Sequence, residues 1–332
     1  MERGYDVLAM GRSSIDLYAN EIGAPFVEVK TFSAFVGGSP TNISVGARRL
    51  GLRAALLTAV GEDLVGDFVL DFLAREGVEA SFSPRKRGRR TSAFMLAIQP
   101  PDKFPIVPYR DNCADLELTI EDVRAAPVAD SRALLVTGSG LSREPSRAAT
   151  RFAAERAREH GGKVVLDLDV RSEMWPDPRA YSSEVRSLLP LVDVVLGTVE
   201  EVRAALGGSG AWGAGDSQEA SDDSLSGRAE ELLAAGPEAL VVKRGARSTL
   251  VFPRGGARVE AATFPVEVLN VLGAGDAFAG GFLYGYLKGW DLGRAARMGN
   301  ACGAIVVTRH GCANFMPTER EALSFIEQRG GF

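Results

Sequence analysis

Short, mainly apolar runs alternate with helical patterns along most of the chain. Runs of this kind are typical of parallel strands whose side chains are covered on both faces of a sheet. They lie at residues 7–10, 54–60, 133–137, 164–168, 192–196 and 239–242. Helical patterns lie at 41–50, 64–75, 145–159, 183–189, 200–206, 228–235, 275–288, 292–308 and 318–327. The alternation predicts an α/β fold with a doubly wound, mostly parallel sheet flanked by helices.

Two regions interrupt this alternation. Residues Glu28–Phe35 and Thr91–Tyr109 have the composition of strands without a helix between them, which predicts a small β-sheet beside the main one. We place its strands within about residues 14–36 and 91–112 and interpret the sheet as a lid. Residues 207–227 are rich in Gly, Ser, Asp and Ala and predict a flexible surface insertion. The 332 residues are otherwise interpreted as one domain spanning 1–332.

The charge balance argues against several partners. Lys and Arg number 38 and Asp and Glu 43, for a formal charge of −5, whereas a nucleic-acid binder needs a basic face. The dense basic run at residues 85–90 is interpreted as a solvated turn between strands, with local anion binding as the alternative. No apolar stretch approaches the length that spans a membrane, and the first residues do not resemble a secretory signal.

Cysteine and histidine usage narrows the chemistry further. Cys113, Cys302 and Cys312 form no CxxC pair, which favours a reduced, cytoplasmic compartment. His160 and His310 are too few for a multi-histidine zinc site and leave few candidate bases for a Ser-His-Asp hydrolase. Cys302 is interpreted as a helix-packing residue, and His310 as an incidental or nucleotide-edge residue rather than a base.

The strongest local signal is Gly273-Ala274-Gly275-Asp276, which precedes apolar residues at helical spacing. A tight glycine loop that opens a helix directs backbone N–H groups outward at the positive end of the helix dipole, so it predicts an anion site. Small residues allow a phosphate to approach the backbone closely. Asp276 would act as a base toward an attacking hydroxyl; the alternative is an ordinary acidic residue in the first turn of a helix.

The same tetrapeptide occurs at Gly213-Ala214-Gly215-Asp216, where we assign it no function. This copy lies in the low-complexity insertion, and no apolar periodicity follows it. The tetrapeptide predicts chemistry only where it leads from a loop into a helix.

A second signal lies near the N-terminus, where Gly37 and Gly38 precede a helix that carries Asn42. Paired glycines let backbone N–H groups reach a ligand, and the Asn42 side chain both donates and accepts. Asp16 follows the first strand, where a carboxylate can accept hydrogen bonds from sugar hydroxyls. Taken alone, each of these features is more often a turn or a helix cap.

Together these segments resemble the ribokinase-like (PfkB) carbohydrate kinases. That family carries a GG-x-x-x-N motif near its N-terminus. Residues Gly37 to Asn42 match it, with two glycines followed after three residues by an asparagine. It also carries a GAGD motif near its C-terminus, matched by Gly273 to Asp276. The resemblance covers the chain outside the insertion. It implies a ribokinase-like α/β fold with a β-sheet lid over the sugar, and ATP-dependent phosphorylation of a sugar hydroxyl.

The resemblance also implies roles for individual residues. Asp276 resembles the family's catalytic base, and the amides of Gly273, Ala274 and Gly275 resemble the anion hole that stabilises the transferring phosphoryl group. Glu201 is implied to organise Mg²⁺ through water. Contacts to the sugar are implied for Arg12, Asp16, Gly37, Gly38 and Asn42, and contacts to the nucleotide for Lys243, Gly245 and Asn300. A homodimer through the lid follows only by analogy with the family.

Two arginines bear on the choice of substrate. Arg110 follows a strand of the predicted lid and Arg171 follows a central strand, so both can reach a pocket at the carboxyl ends of the strands. Arginine side chains bind carboxylates in a forked geometry, which predicts an acid-bearing sugar. The alternative is that both are surface ion-pair partners.

Within the family, the chain is most similar to the branch that serves inositol catabolism, over segments that include Tyr109–Asp115, Asp167–Arg171 and Asn300–Arg309. This similarity implies phosphorylation of 5-dehydro-2-deoxy-D-gluconate at its terminal hydroxyl. The alternative is 2-keto-3-deoxygluconate, and fructose or another neutral sugar comes third. Asn270-Val271 replaces the Asp-Thr that usually precedes x-GAGD, and Phe315 stands where a serine often lies, so activation by K⁺ is doubtful.

Two other classes of protein fit less well. A dinucleotide-dependent oxidoreductase needs G-x-G-x-x-G after its first strand, and the chain reads Gly11-Arg12-Ser13-Ser14-Ile15-Asp16 there. A non-catalytic sugar-binding regulator on the same fold is expected to lose Asp276 or the glycines before it, and all are present. Sugar-dependent ATP hydrolysis that is lost on Asp276→Asn distinguishes the kinase from both.

Overall fold

The computed structural model describes residues 3–100, 103–207 and 222–332. Over those ranges the chain forms fourteen strands: β1 (Tyr5–Met10), β2 (Ser14–Ala19), β3 (Phe32–Gly37), β4 (Ala54–Leu57), β5 (Val60–Gly61), β6 (Arg85–Lys86), β7 (Ser92–Leu96), β8 (Ile106–Tyr109), β9 (Ser131–Thr137), β10 (Lys163–Asp167), β11 (Val194–Thr198), β12 (Ala239–Lys243), β13 (Thr249–Pro253) and β14 (Val259–Ala261). The same ranges contain ten α-helices: α1 (Ser39–Arg49), α2 (Leu64–Glu76), α3 (Ile120–Ala125), α4 (Ser146–Glu159), α5 (Pro178–Leu188), α6 (Val199–Ala205), α7 (Asp222–Ala234), α8 (Ala274–Leu287), α9 (Leu292–Val306) and α10 (Glu319–Glu327). None of these helices is long and apolar enough to cross a membrane.

Eight strands form the central sheet, in the order β14-β13-β12-β11-β10-β9-β1-β4. The six strands from β12 to β4 in that order run parallel. The prediction of a doubly wound, mostly parallel sheet flanked by helices is confirmed. Strands β13 and β14 extend the sheet antiparallel, and they lie outside the predicted pattern because short turns, not helices, connect them.

The direction of winding opens a crevice at one edge of the sheet. The chain begins at β1, adds β4 on one side of it and then places β9 on the other side. The connections that follow β1 and β9 therefore diverge, and in open α/β sheets ligands bind at the carboxyl edge where this happens. Arg12 follows β1, Arg171 follows β10 and Lys243 ends β12, so parallel pairing carries all three to that edge.

The apolar core lies in two layers, one on each face of the central sheet. Alternate side chains of a strand point to opposite faces, so Val7 and Ala9 of β1 pack in one layer and Leu8 and Met10 in the other. Helices α1, α2, α8, α9 and α10 cover the first layer, and α3 to α7 cover the second. Burial of each large apolar side chain contributes about 1.5–3 kcal/mol, which explains why these strands are almost continuously apolar.

Four strands form a separate sheet in the order β3-β2-β7-β8, called the small sheet below. It corresponds to the predicted lid, whose action as a lid stays a prediction. The strand predicted at Glu28–Phe35 is wrong in its bounds, because Phe26–Glu28 forms a turn of 3₁₀ helix and β3 begins at Phe32. The region predicted at Thr91–Tyr109 contains two antiparallel strands, β7 and β8, instead of one.

The basic run at residues 85–90 is not simply a turn. The strand predicted at 54–60 ends at Leu57, and Val60–Gly61 pairs instead with Arg85–Lys86. Three of the five cationic side chains in the run pair with carboxylates: Arg85 with Asp67, Lys86 with Asp122 and Arg89 with Glu117. These three cations are neutralised locally, and the alternative of an anion site in this run stays a prediction.

Two helices begin five or six residues earlier than predicted. Helix α5 begins at Pro178 instead of residue 183, because the Asp177 side chain accepts from the Arg179 and Ala180 amides and caps the helix there. Helix α7 begins at Asp222, inside the predicted insertion. Residues 208–221, including Gly213-Ala214-Gly215-Asp216, lie outside the described residues.

Candidate active site

The two glycine motifs of the sequence meet in the crevice. Asn42 lies in the first turn of α1 and Asp276 in the first turn of α8. Asn42 Nδ2 donates to Asp276 Oδ2 over 2.6 Å, which fixes the orientation of the carboxylate. Asn42 Oδ1 is buried and has no hydrogen-bond partner among the described residues. It is therefore free to accept a hydrogen bond from a ligand hydroxyl.

The predicted anion site has the backbone that such a site requires. Gly273 precedes α8 with a φ of 80°, in the left-handed region that favours glycine. Ala274 N–H bonds Val271 O over 3.3 Å, whereas within the described ranges no backbone oxygen accepts from the Gly273, Gly275 or Asp276 amides. The first-turn amides of a helix are donors for an anion. Of the three amides in the predicted anion hole, those of Gly273 and Gly275 are therefore available, and the Asp276 amide is a further donor.

The electrostatic surroundings of Asp276 suit a base. Protein atoms around the carboxylate desolvate it and raise the pKa of Asp276, the Asn42 hydrogen bond lowers that pKa, and the Asp169 carboxylate raises it again. The pKa of Asp276 stays above the ordinary value for aspartate. A carboxylate with a raised pKa holds a transferred proton more tightly, which favours proton removal from a hydroxyl.

Arg12 is the most unusual charged group in the crevice. It is 8% exposed, and its buried Nε has no partner among the described residues. Its guanidinium lies 4.7 Å from the centroid of the Phe94 ring. Burial lowers the pKa of Arg12, and the charges of Arg110 and Arg171 lower it further, against opposing effects of Asp169 and Asp16. A buried cation of this kind is unfavourable unless an anion accompanies it.

The other two arginines already have carboxylate partners. Arg110 forms an ion pair with Asp115 over 2.7 Å and donates to Ser92 Oγ over 2.9 Å. Arg171 forms an ion pair with Asp169 over 2.8 Å. The Arg110 pair is largely buried, with side-chain exposures of 11% and 4%, whereas the Arg171 side chain is 44% exposed. Both arginines thus have the carboxylate partners that the alternative expects, and their contact with a substrate carboxylate stays a prediction. Arg12 forms no ion pair with the described residues.

Asp16 lies against the first glycine motif. A Cβ atom on residue 37 would lie 1.9 Å from Asp16 Oδ2, so only glycine leaves room for this carboxylate. Ser14 Oγ donates to Asp16 Oδ1 over 2.7 Å. Burial raises the pKa of Asp16 to about 6, and the Ser14 hydrogen bond and the Arg12 charge limit the rise. When ionised, Asp16 is a strong acceptor for sugar hydroxyls.

Lys243 places a second cation beside the predicted anion site. Its Nζ lies 3.4 Å from both carboxylate oxygens of Asp167 and would lie 3.2 Å from a Cβ atom on residue 275. Desolvation lowers the pKa of Lys243, but the carboxylates of Asp167, Glu201 and Asp276 outweigh this effect and the pKa is raised. Lys243 therefore stays protonated and reinforces the N-terminus of α8 as an anion site.

Asn300 and Gly245, which the resemblance assigns to the nucleotide, differ in their contacts with the rest of the protein. Asn300 Nδ2 donates to the Ala261 and Ala262 carbonyls, and its Oδ1 accepts from Thr249 Oγ1 over 2.7 Å. Its amide thus joins α9 to the antiparallel edge of the sheet, and its contact with a nucleotide stays a prediction. Gly245 lies in the turn after β12 with a φ of 62° and an open surface around its Cα.

Glu201 belongs to a helix cap as well as to the crevice. Its Oε2 accepts from Thr198 N over 2.7 Å and completes a capping box at the start of α6. Its Oε1 accepts from Val170 N over 3.2 Å. Each carboxylate oxygen has a second lone pair. No group of three or more His, Cys, Asp or Glu side chains within the described part of the chain is arranged to hold a metal ion.

Asp167 and Asp169 are site residues that the motifs do not reveal. Asp167 ends β10, and Asp169 lies two positions later in the loop at the carboxyl edge, with a φ of 32°. Ser139 Oγ donates to Asp169 Oδ2 over 2.7 Å. Their position at a strand end is a signal that could have found them. Asp115, the partner of Arg110, has no such signal because it follows an irregular segment.

The remaining candidates lie outside the reacting groups. The His310 ring packs 5.9 Å from the Tyr18 ring and 6.1 Å from the Phe35 ring, beside the small sheet. This packing supports the interpretation of His310 as incidental to the chemistry, and its nucleotide-edge role stays a prediction. Cys302 is 1% exposed, and its Sγ would lie 2.8 Å from a Cβ atom on Gly281, so it packs between α8 and α9 as predicted.

A helix N-terminus with free amides, a carboxylate fixed beside it and a polar crevice define a phosphotransferase that acts on a hydroxyl. Residues 5–319 match the pfkB family carbohydrate kinases, and the chain belongs to that family. It is 33% identical to the 5-dehydro-2-deoxygluconokinase of Clostridium tetani, over 98% of this chain and 93% of that protein. It is also 33% identical to the 5-dehydro-2-deoxygluconokinase of Geobacillus kaustophilus, over 98% and 95%.

Solved structures agree with this assignment. The fructokinase with bound ATP from Xylella fastidiosa is 26% identical, with a TM-score of 0.83 and coverage of 98% of each chain. The ribokinase-like fold that the sequence predicts is confirmed. The protein is a carbohydrate kinase, and kinases of this family use ATP.

Proposed function

We propose that this kinase transfers the γ-phosphoryl group of ATP to the terminal hydroxyl of 5-dehydro-2-deoxy-D-gluconate. The observation that carries the acidic substrate is Arg12, which is 8% exposed and, unlike Arg110 and Arg171, forms no ion pair with the described residues. A substrate carboxylate would supply the missing negative charge. The names of the relatives that match over nearly the whole chain support the particular sugar acid.

The residues of the crevice divide the reaction between them. Asp16 and Asn42 would accept hydrogen bonds from hydroxyls and orient the substrate, while Arg12 would bind its carboxylate. Asp276 would take the proton of the terminal hydroxyl as its oxygen attacks the γ-phosphorus and ADP leaves. The Gly275 and Asp276 amides would stabilise the charge on the transferring group, aided by the Lys243 cation.

Mg²⁺ belongs to the proposal through ATP. Phosphate oxygens supply most of its ligands in kinases, and the ion neutralises charge on the phosphates. Glu201 fits an indirect role, because each of its carboxylate oxygens accepts one backbone hydrogen bond and retains a lone pair for a metal-bound water. A cytoplasmic location and pairing of two copies through the small sheet stay predictions.

The substrate is tested by a coupled ADP-release assay with Mg·ATP. The panel contains 5-dehydro-2-deoxygluconate, 2-keto-3-deoxygluconate, fructose, ribose and a nucleoside. We expect kcat/KM for the first to exceed that for the neutral sugars by about 10²-fold or more, because a neutral sugar leaves Arg12 unpaired. Preference for 2-keto-3-deoxygluconate would keep the acid site but contradict the particular substrate. Turnover of neutral sugars alone would contradict both.

We also expect activity not to depend on K⁺. Asn270 is fully buried; its Nδ2 donates to His310 O over 3.1 Å and its Oδ1 accepts from Leu272 N over 3.0 Å. The Asn270 amide thus joins the loop before α8 to the loop after α9. The His310 carbonyl oxygen already accepts a hydrogen bond from it. The measurement is kcat in K⁺, Na⁺ and Tris salts at equal ionic strength. Asn270→Asp replaces the donor with a second acceptor and is expected to create cation dependence; activation of the wild type by K⁺ would contradict the prediction.

A further inference from the structure

A buried contact joins the small sheet to the loop of the anion site. Tyr18 Oη lies 2.8 Å from Cys312 Sγ, although the two residues are 294 positions apart. Tyr18 lies on β2 and is 1% exposed, and Cys312 lies after α9 and is 4% exposed. The proposed reaction uses neither the phenol nor the thiol.

Each partner lies next to a part of the site that must be positioned accurately. Tyr18 and Asp16 are two positions apart on β2, so their side chains are on the same face of that strand. Cys312 packs directly on Gly273, where a Cβ atom would lie 2.6 Å from Cys312 Sγ. One hydrogen bond therefore connects the strand that presents Asp16 with the loop that begins α8.

The surrounding side chains leave this contact little freedom. The Tyr18 ring packs edge-on against Phe35, with centroids 5.6 Å apart, and tilted against His310 at 5.9 Å. The His310 carbonyl accepts from Asn270, three residues before Gly273. A displacement of β2 therefore shifts Cys312, and a displacement of Cys312 acts on the anion site.

The pair is suited to holding position, not to acid–base or redox chemistry. Burial raises the pKa of both the Tyr18 phenol and the Cys312 thiol, so both groups stay neutral. A low-pKa, exposed thiol is the reactive kind, and Cys312 is the opposite. A neutral hydrogen bond between buried groups is lost when either group is removed, and the group that remains is left unsatisfied.

We propose that the Tyr18–Cys312 hydrogen bond is a positioning link that keeps the anion site aligned with the hydroxyl of the bound sugar. Tyr18 and Cys312 act through Asp16 and Gly273 and are positioning residues. The inference rests on phosphoryl transfer by this site but not on which sugar accepts the phosphoryl group. A misplacement of about 1 Å at such a site lowers the rate by up to about 10²-fold.

Three substitutions and one double variant test the link. Tyr18→Phe removes the hydroxyl and keeps the ring, Cys312→Ala removes the thiol, and Cys312→Ser keeps a donor and an acceptor. With the panel substrate that the wild type phosphorylates fastest, we expect the first two each to lower kcat by about 10-fold, with KM for sugar and ATP almost unchanged. The double variant Tyr18→Phe/Cys312→Ala should be no slower than the slower single variant. Cys312→Ser should recover most of the activity.

Cys302→Ala is the matched control, because it removes another buried thiol that packs between helices and does not touch Gly273. It should lower the melting temperature and leave kcat unchanged. If Tyr18→Phe and Cys312→Ala lower only the melting temperature, the contact is merely structural and the proposal fails. Multiplicative effects in the double variant would also overturn it. The panel includes neutral sugars, so the positioning link can be tested even if the proposal of an acidic substrate fails.

Discussion

Replacing Asp276 with Asn is expected to lower kcat by about 10²- to 10⁴-fold while KM for sugar and ATP changes little. The substitution keeps the size of the side chain, and its amide oxygen can still accept the hydrogen that Asn42 donates to Asp276 over 2.6 Å. The pocket therefore keeps its shape. What disappears is the carboxylate that accepts the proton of the attacking hydroxyl. A coupled ADP-release assay measures the effect.

The chain supplies its own control for this experiment. Asp216 ends a second copy of the tetrapeptide Gly-Ala-Gly-Asp, at residues 213–216. Asp216→Asn makes the same chemical change in the same local sequence, and it should leave kcat at the wild-type value. Retention of more than about a tenth of the activity in Asp276→Asn would contradict its role as base. An equal loss in the two variants would show that the tetrapeptide does not distinguish the site.

The pH dependence of activity also tests Asp276, because protonation of its carboxylate should lower the rate. A base works only when it is ionised, so activity falls as the pH drops through the pKa of Asp276. Desolvation raises that pKa in the free protein, so the acidic limb that Asp276 contributes to kcat/KM should lie above the ordinary value for aspartate, about 3.9. The limb should be absent in Asp276→Asn. Asp16, whose pKa is about 6, should add an acidic limb to kcat/KM, because its protonation removes an acceptor for sugar hydroxyls.

The central sheet could be predicted because burial on both faces leaves a mark in the sequence. The side chains of β1 from Val7 to Met10 are at most 2% exposed, so the run is apolar throughout. The small sheet carries a weaker mark: most of β8 is exposed, and along the apolar run of β7 fully buried side chains alternate with half-buried ones. Residues 60–61 and 85–86 pair over only two positions, too few for any periodicity to show.

Site residues were predictable where a local backbone feature marks them. The loop at Gly273 that opens α8 is such a feature, and it pointed to Asp276. The partners of the arginines are not marked in this way. Asp115 lies five positions after Arg110 and Asp169 two before Arg171, but only the three-dimensional arrangement shows that these carboxylates pair with the arginines. Likewise, only the three-dimensional arrangement shows that Arg12 forms no ion pair with the described residues.

At a pH well above the pKa of Asp16, replacing Arg12 with Met is expected to raise KM for the sugar acid by about 10²-fold or more, with little change for a neutral sugar. Methionine is apolar and can pack on the Phe94 ring that the guanidinium now covers at 4.7 Å. The charge that would bind the carboxylate is lost. Measurements of kcat and KM for an acid and for fructose, with the same enzyme preparations, give the ratio directly.

The same substitution should leave the free energy of unfolding unchanged or raise it. Arg12 is a buried cation whose Nε has no partner among the described residues, and an apolar side chain of similar size removes the cost of keeping that charge away from water. Arg110→Met should do the reverse: it leaves the Asp115 carboxylate, 4% exposed, without its partner, at a cost of about 3–5 kcal/mol. Arg87→Met, in the exposed part of the basic run, should change neither stability nor KM.

These opposite signs separate a substrate anchor from a structural arginine. An anchor is unfavourable in the empty protein and becomes favourable when the ligand supplies its counter-charge, so its removal weakens binding without weakening the fold. A large loss of stability in Arg12→Met would show that the folded protein already satisfies this charge. Equal increases in KM for the acid and for fructose would show that Arg12 shapes the pocket but does not bind the substrate carboxylate. A substrate-binding role for the Arg12 guanidinium requires both results: Arg12→Met is at least as stable as the wild type, and its KM rises for the acid only.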